Sequence, residues 1–245
     1  MRSAKTAGSA GVAGSAGAAG SAGAAGSAGT VGTRGRIDKR QAILDAAFTV
    51  FAREGYSQAS IDMIASEAGV AKPTIYNHLG GKENLFRHAM AAAADRTTAK
   101  TLAIVGRLTV DVADLPVAFT DVGRALLECY CAADSWALRR LLHAEIVRFP
   151  DLFDMIGANG PNQVGEALAD RLARLALAGR LRLTDPVEAA EHFLALLTGP
   201  VAHRSALGTR TFDDTQIQHT ARAATATFLR AFAATGPAAK APASE

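Results

Sequence analysis

The hydrophobic positions of residues 60–86 recur at helical spacing on two short segments that a glycine separates. The first segment has apolar or small residues at the i, i+3, i+4 and i+7 positions of one buried helix face: Ile61, Ile64, Ala65 and Ala68. Ser60 is its candidate N-cap, and Gly69 ends it because glycine readily adopts the left-handed conformation. The second segment has apolar positions at Ile75 and Leu79. This spacing predicts a helix-turn-helix, whose second helix lies in the major groove of DNA.

The polar residues of the second helix, over about residues 71–79, lie on the face opposite the apolar pair. Thr74 and Asn77 can hydrogen-bond base edges, whereas the basic and phenolic side chains beside them suit phosphate oxygens. Lys82 lies at the N-terminus of the next helix, where free amides also favour phosphate. The predicted DNA contacts are Arg36, Ser60, Lys72, Pro73, Thr74, Tyr76, Asn77, His78 and Lys82.

This region resembles the DNA-binding domain of the TetR family of bacterial transcription regulators. The matching positions are Ile64-Ala65, Gly69-Val70, Thr74-Ile75-Tyr76-x-His78, Lys82-Glu83-x-Leu85-Phe86 and, upstream, Ile43-Leu44-x-Ala46-Ala47-x-x-x-Phe51-x-x-x-Gly55-Tyr56. The resemblance is specific because several spaced elements agree in order. Two positions depart from the family pattern: Leu79 stands where the family usually has Phe, and Gly81 where a polar helix cap is usual. Neither departure removes a predicted DNA contact.

The rest of the chain continues the helical pattern without strand alternation. Helices are expected over residues 38–54, 82–107, 115–132, 135–148, 161–178, 186–207 and 213–233. Prolines and glycines between these ranges mark the helix ends. The sequence therefore predicts an all-α protein. Its three-helix DNA-binding domain would occupy residues 36–96, and a helical-bundle regulatory and dimerisation domain would occupy residues 97–235.

Residues 1–35 are rich in Gly, Ala and Ser and contain almost no large side chain. Such a segment buries too little apolar surface to offset its chain entropy, so we expect a disordered tail. A flexible C-terminus is expected over residues 236–245. The glycines interrupt the apolar run that a signal peptide needs. A mobile arm that enters the minor groove through Arg34 and Arg36 is the alternative to a solvated tail.

The net charge of +3 is modest for a DNA-binding protein. Binding would therefore depend on placed contacts and on a dimer more than on a bulk positive field. No apolar run reaches the roughly 20 residues that span a bilayer, so we expect a soluble, cytoplasmic protein without a membrane partner. Cys129 and Cys131 point in different directions on a helix, which argues against a shared metal. A reduced thiol is expected, with redox sensing as the alternative.

Catalytic spacing is missing from the sequence. Glu188 and His192 share a helix face but have no third ligand of the kind a metal site needs. The glycines of the tail precede no strand and lack the Lys-Ser/Thr of a phosphate-binding loop, and no Ser or Cys lies in a nucleophile elbow. We therefore expect no catalytic residue, no metal, no cofactor and no enzyme.

The family resemblance implies a homodimer and a small-molecule effector. In TetR-like proteins the last two long helices pair with their copies, and two recognition helices then lie about 34 Å apart, one DNA turn. The predicted interface residues are Leu197, Val201, Ile217, Ala224 and Phe228; the alternative is that they only close the core of their own chain. Bundle interiors commonly bind ligands. The candidate ligand contacts are Phe119, Trp136, Arg140, His143, Phe153, Met155 and Phe193, and each alone is more often a core residue.

Together these features predict a sequence-specific DNA-binding repressor that a small apolar ligand releases from a palindromic operator, with an activator as a close variant. A non-specific DNA-organising protein is one alternative, and it would bind any duplex with a steep salt dependence. A helical enzyme or small-molecule carrier is the other. It would bind no DNA and would leave the polar face of residues 74–77 without a role.

Overall fold

The computed structural model describes residues 28–234, except for the side chains of residues 28–38 and 157–159. The chain divides at Ile37, and the fold below belongs to the unit that begins at Asp38. The described residues form ten helices: α1 (Ala28–Gln58), α2 (Ile61–Ala68), α3 (Lys72–Leu79), α4 (Lys82–Val105), α5 (Leu115–Cys131), α6 (Ala133–Glu145), α7 (Pro150–Asn159), α8 (Pro161–Leu177), α9 (Pro186–Arg204) and α10 (Asp214–Phe232). The predicted all-α fold class is confirmed. None of these helices is long and apolar enough to cross a membrane.

Two helices differ from the prediction. α1 begins at Ala28 instead of residue 38, because extending an existing helix adds a hydrogen bond for each residue fixed. The other residues of the predicted tails, 1–27 and 236–245, lie outside the described part of the chain. α7 is absent from the predicted set, which takes Pro150 as a helix breaker. Pro150 is instead the first residue of α7, where its missing N–H would have had no helical partner.

α2 and α3 form the predicted helix-turn-helix. The Ser60 hydroxyl accepts a hydrogen bond from the Met63 N–H at 3.2 Å and caps α2. Gly69 adopts the left-handed conformation with φ of 63°, and the Val70 N–H then donates to the Ala65 carbonyl at 3.0 Å. α3 starts one residue after Ala71 and carries its proline in the first turn. The turn is thus held by backbone hydrogen bonds, which fixes the direction of α3.

The buried side chains of α1 to α4 form one hydrophobic cluster, here called the head cluster, which extends into α6 and α7. Its centre is aromatic. The ring of Phe86 lies 4.9 Å from that of Phe51 and 5.2 Å from that of Phe149, measured between centroids. The ring of Tyr56 lies 4.9 Å from both Phe86 and Phe149. Because Phe149 directly precedes α7, the helix-turn-helix region shares its core with the bundle.

A second hydrophobic cluster, the bundle cluster, joins α5, α8, α9 and α10 with the end of α4. Phe119 lies at its centre, 5.3 Å from the ring of Phe193 and 5.4 Å from that of Phe228. α5 approaches α9 closely at Gly123, where an added Cβ would lie 3.2 Å from a methyl of Leu197. The division of the chain at residues 96 and 97 stays a prediction, since the head cluster also includes residues of α6 and α7.

The loop between α9 and α10 packs on α6. Gly208 has φ of 80° and lies so close to Trp136 that an added Cβ would lie 2.3 Å from the ring Cγ. The Arg140 guanidinium donates to the Leu207 carbonyl at 3.2 Å and holds the same loop. A glycine is therefore required at position 208 both for its backbone conformation and for the space that the indole occupies.

Candidate DNA-binding face and bundle cavity

α3 buries its two apolar residues and exposes the polar face predicted for DNA contact. Ile75 is 0% exposed and Leu79 is 4% exposed, because both pack into the head cluster. Tyr76 is 49% exposed. Lys72, Pro73, Asn77 and His78 are also exposed, and Thr74 is half-buried. The exposed residues of α3 thus contribute little to the core, and their side chains are free to contact a partner.

Lys72 already has an acidic partner on the preceding helix. Its ammonium donates to the Asp62 carboxylate at 2.9 Å, and this hydrogen bond raises the pKa of Lys72. Both side chains are exposed, so the ion pair contributes little to stability. A DNA phosphate could therefore replace Asp62 as the partner of Lys72 at small cost.

Lys82 is half-buried at the start of α4. Its ammonium donates to the Ser57 carbonyl at 3.1 Å and lies 4.6 Å from the centre of the Tyr56 ring. Burial, and then the charge of Arg148, lower the pKa of Lys82. Gly81 gives α4 no side-chain cap, so the first amides of α4 accompany the ammonium at this corner. The arrangement suits an anion such as phosphate.

Two further predicted contacts have different outcomes. Ser60 is half-buried, and its hydroxyl caps α2, so any contact with DNA would come in addition to that structural role. Arg36 belongs to the residues whose side chains the structure does not describe. Its contact with DNA stays a prediction.

A cavity of about 320 Å³ lies in the bundle, within the size range of small-molecule sites. Its wall is formed by residues of α4, α5, α6, α8 and α9 together with the end of α7. Most of these residues are apolar: Ala94, Leu126, Leu127, Leu138, Leu142, Ile156, Gly160, Pro161, Val164, Leu194 and Leu197. The polar or sulfur-containing ones are Thr97, Thr98, Thr101, Cys129, Tyr130, Ser135, Arg139 and Thr198.

None of the seven ligand contacts predicted from the sequence lines this cavity. Phe119, Phe193 and Trp136 are buried in the bundle cluster, where other side chains enclose their rings. Arg140 and His143 are exposed, Phe153 is 52% exposed, and Met155 packs against the head cluster. The predicted residues were chosen from the sequence by their size and polarity. Which residues face the cavity depends instead on helix packing: the packing of α6 on α5 places Arg139, and not Arg140, at the cavity.

The five predicted interface residues on α9 and α10 are all buried in the bundle cluster of their own chain: Leu197, Val201, Ile217, Ala224 and Phe228. This is the alternative that the sequence left open. A different set of residues lines a shallow apolar groove on the outer side of the two helices: His192, Ala195, Leu196, Pro200, Thr227, Phe228, Ala231 and Phe232. Phe228 is common to both sets.

The two cysteines are free thiols. The Cys129 sulfur lies 3.6 Å from the Thr101 hydroxyl, and burial raises the pKa of Cys131. Within residues 28–234, no cluster of His, Cys, Asp and Glu side chains has the composition of a metal site.

Two family models match this chain. Residues 43–89 match the model of bacterial regulatory proteins of the tetR family. Residues 118–234 match the model described as the AefR-like transcriptional repressor, C-terminal domain. The first match contains the helix-turn-helix, and the second contains α5 to α10 except for the first residues of α5.

Similar proteins and solved structures agree with these matches. The chain is 29% identical over 175 residues to the transcriptional repressor AcnR of Corynebacterium efficiens, with 71% of this chain and 86% of AcnR covered. A solved TetR-family regulator from Mesorhizobium loti superposes with a TM-score of 0.75 at 25% identity, covering 80% of this chain and 98% of that one. The flavonoid-responsive regulator FrrA superposes with a TM-score of 0.63 at 29% identity, covering 82% and 100%.

Proposed function

This chain belongs to the TetR family of bacterial transcriptional regulators, and on that premise we propose that it is a dimeric repressor that a small molecule releases from its operator. The family consists of DNA-binding regulators and not of enzymes, as the missing catalytic motifs predict. Operator specificity, dimerisation and ligand release go beyond family membership, and each depends on a different surface of the molecule.

The exposed face of α3 is the observation that carries the proposal. Tyr76 and Asn77 are exposed although they directly follow the fully buried Ile75. Asn77 can bind an adenine edge with both amide atoms, and Thr74 can contact a thymine methyl. Tyr76 and the corner at Lys82 would bind phosphates and fix the register of α3 on the duplex.

Repression is the direction of control that the similarity to AcnR favours. That relative is a transcriptional repressor, and the match extends over 86% of its length, so it includes the regulatory region as well as the helix-turn-helix. A repressor needs only to occupy its operator, whereas an activator also needs a surface for the transcription machinery. The exposed face of α3 would allow the chain to occupy its operator.

Dimerisation would use the outer groove of α9 and α10. Leu196 and Phe232 are half-buried there, and Ala195 and Ala231 are small enough for close approach of a second helix pair. In a two-fold symmetric dimer, this groove of one copy would pack against the same groove of the other copy, and both apolar surfaces would be buried. The dimer would place two α3 helices at successive major grooves.

α7 is the element that would couple the cavity to the DNA-binding region. Ile156 lines the cavity and is also part of the head cluster, and Phe149, which precedes α7, contacts Tyr56 and Phe86. Arg87 of α4 donates to both carboxylate oxygens of Asp151 in α7, at 2.8 and 3.1 Å. A ligand that moves α7 would therefore move α4 and shift the population toward a head spacing that fits the operator poorly.

DNA binding by the purified chain tests the proposal. Fluorescence anisotropy would compare a duplex from its own upstream DNA with a scrambled duplex at physiological salt, and we expect a preference of about a hundredfold or more. Asn77→Ala should relax preference at one base position, at a cost of about 1–3 kcal/mol, whereas Tyr76→Ala should weaken binding to all sequences alike. Gln163→Ala, which removes an exposed amide from α8, is the matched control and should change neither.

Each outcome separates the alternatives. Equal affinity for both duplexes would favour a DNA-organising protein, and no binding to either would refute the role of α3. Sedimentation tests the dimer: Leu196→Glu should give monomers, whereas Val187→Glu, exposed on the same helix outside the groove, should not.

Coupling needs a separate measurement. With an effector that releases the wild-type protein, Arg87→Met should reduce the release without loss of effector binding, because it removes the contact with Asp151. Arg124→Met removes a comparable exposed ion pair with Asp214 and serves as the control. Equal release in both variants would contradict transmission through α7.

A further inference from the structure

One side chain in the wall of the bundle cavity is positively charged, and the other side chains of the wall are neutral. Of the described residues that line it, Arg139 is the one with a charge at neutral pH. Leucines, an isoleucine and a valine from five helices form most of the apolar wall, including Leu126, Leu194 and Val164. An apolar site with one fixed charge selects ligands by both parts of their structure.

The Arg139 guanidinium is held in place by α5 and α6. Its central carbon lies 3.8 Å from the centre of the Tyr130 ring and 4.0 Å from that of the Trp136 ring. Its Nη2 donates to the Tyr130 carbonyl in the last turn of α5. The two aromatic rings and this carbonyl fix the plane of the guanidinium before any ligand arrives.

Among the residues that the structure describes, the same guanidinium has no anionic partner. Its Nε is buried without a hydrogen-bond acceptor, and within the described residues no carboxylate oxygen lies within salt-bridge distance of its nitrogens. Burial lowers the pKa of Arg139, since its charge is partly removed from water. A buried charge without a counter-ion costs free energy that a bound anion would offset.

Thr98 provides a second polar group on the wall. It is only 8% exposed, and it lines the same cavity as Arg139. The hydroxyl faces Gly160, where an added Cβ would lie 3.0 Å from it. A side chain at position 160 would crowd this hydroxyl, which can donate a hydrogen bond to a ligand oxygen.

We propose that the effector of this regulator is an amphipathic carboxylate, with its carboxylate on Arg139 and its apolar body against the leucines of the cavity. The inference rests on the proposed ligand response and specifies its chemistry. The planar fork of N–H donors matches a carboxylate in geometry, and hydrogen bonds between ions are about twice as strong as neutral ones. The cavity of about 320 Å³ accepts a single ring with a short alkyl chain or a medium-length chain.

Calorimetric titration with matched pairs of ligands tests the charge requirement. The probes are 4-butylbenzoate against 4-butylbenzyl alcohol, and octanoate against 1-octanol, so that each pair differs in charge and shares its apolar part. The wild-type chain should bind each carboxylate at least about tenfold more tightly than its alcohol, which corresponds to about 1.4 kcal/mol. In Arg139→Met this preference should fall below about twofold.

Arg222→Met is the control, because Arg222 is exposed on α10 and does not line the cavity. It should keep the full preference for carboxylates. Arg139→Lys retains the charge without the planar fork and should give an intermediate preference. Thr98→Val leaves Arg139 in place and should weaken carboxylate binding by a few-fold. Circular dichroism would establish that each variant is folded.

The outcomes distinguish failure of the inference from failure of the ligand site. If the wild-type chain binds acid and alcohol equally, and Val164→Trp abolishes both by filling the cavity, the ligand site stands and the charge requirement is refuted. If the chain binds neither member of either pair, the cavity is not a site for such molecules and the inference is refuted, whereas the proposed function is still decided by the DNA-binding measurement. An unchanged preference in folded Arg139→Met would also overturn the inference.

Discussion

The head cluster and the bundle cavity share residues but are packed in opposite ways. Leu138 and Ile156 belong to the head cluster and also line the cavity. On one side of them, the rings of Phe51, Phe86 and Phe149 fill the space around the DNA-binding helices. On the other side, aliphatic side chains surround about 320 Å³. The head cluster is therefore closely packed, whereas the neighbouring bundle leaves a space that, in the proposed function, a ligand would fill.

The largest effect is expected where packing is tightest. Phe86→Ala removes a fully buried ring that contacts Phe51, Tyr56 and Phe149, and should lower the free energy of unfolding by about 3–5 kcal/mol. Urea denaturation of the purified protein measures this change. Phe153→Ala, which removes a ring that is 52% exposed, should cost under about 1 kcal/mol. Similar costs for the two substitutions would contradict the packing assigned to the head cluster.

A smaller loss is expected at the loop that covers Trp136. Gly208→Ala places a methyl 2.3 Å from the indole and requires φ of 80° from alanine, so unfolding should become easier by about 1–3 kcal/mol. Gly165→Ala is the control, because nothing lies within 4 Å of its added Cβ inside α8. It should raise stability by up to about 1 kcal/mol through helix propensity. Thermal melting measures the stability of both variants. If Gly208→Ala raised the melting temperature, the close approach of Gly208 to Trp136 would be refuted.

The smallest expected effect is the difference in stability between two variants that each lose a buried hydroxyl. Thr225 of α10 is 3% exposed, and its hydroxyl has no hydrogen-bond partner within residues 28–234, so Thr225→Val should stabilise the fold by about 1 kcal/mol. Thr98→Val should change stability less, because the Thr98 hydroxyl faces a cavity that water can occupy. Equal stabilisation by both substitutions in urea denaturation would show that the cavity side is as dry as the packed core.

Periodicity was sufficient to predict the DNA-binding side of the molecule. The spacing of Ile75 and Leu79 fixes which face of α3 is buried, and Tyr76 and Asn77 are then exposed by the geometry of the helix alone. Local signals also placed Ser60 and Gly69 correctly, since a cap and a left-handed glycine act within one turn.

The cavity could not be predicted in the same way, because its wall comes from helices distant in sequence. Arg139 and Arg140 are both compatible with a position near Trp136 on α6, and only the contact with Tyr130 of α5 turns Arg139 inward. Large apolar residues were poor guides for the same reason. Phe193 and Leu197 fill the core of their own chain, whereas the outer groove is formed by less conspicuous residues such as Ala195.

Trp136 is the single tryptophan of the chain, and its position gives the protein an intrinsic optical probe. The indole lies against the Arg139 guanidinium on one side and against Gly208 on another. A carboxylate that binds Arg139 changes the electric field at the indole and should shift its emission, with no label attached. Because the DNA-binding helices contain no tryptophan, the emission comes from the bundle side of the molecule. Occupancy of the cavity can then be followed in real time and compared with the release of the chain from DNA.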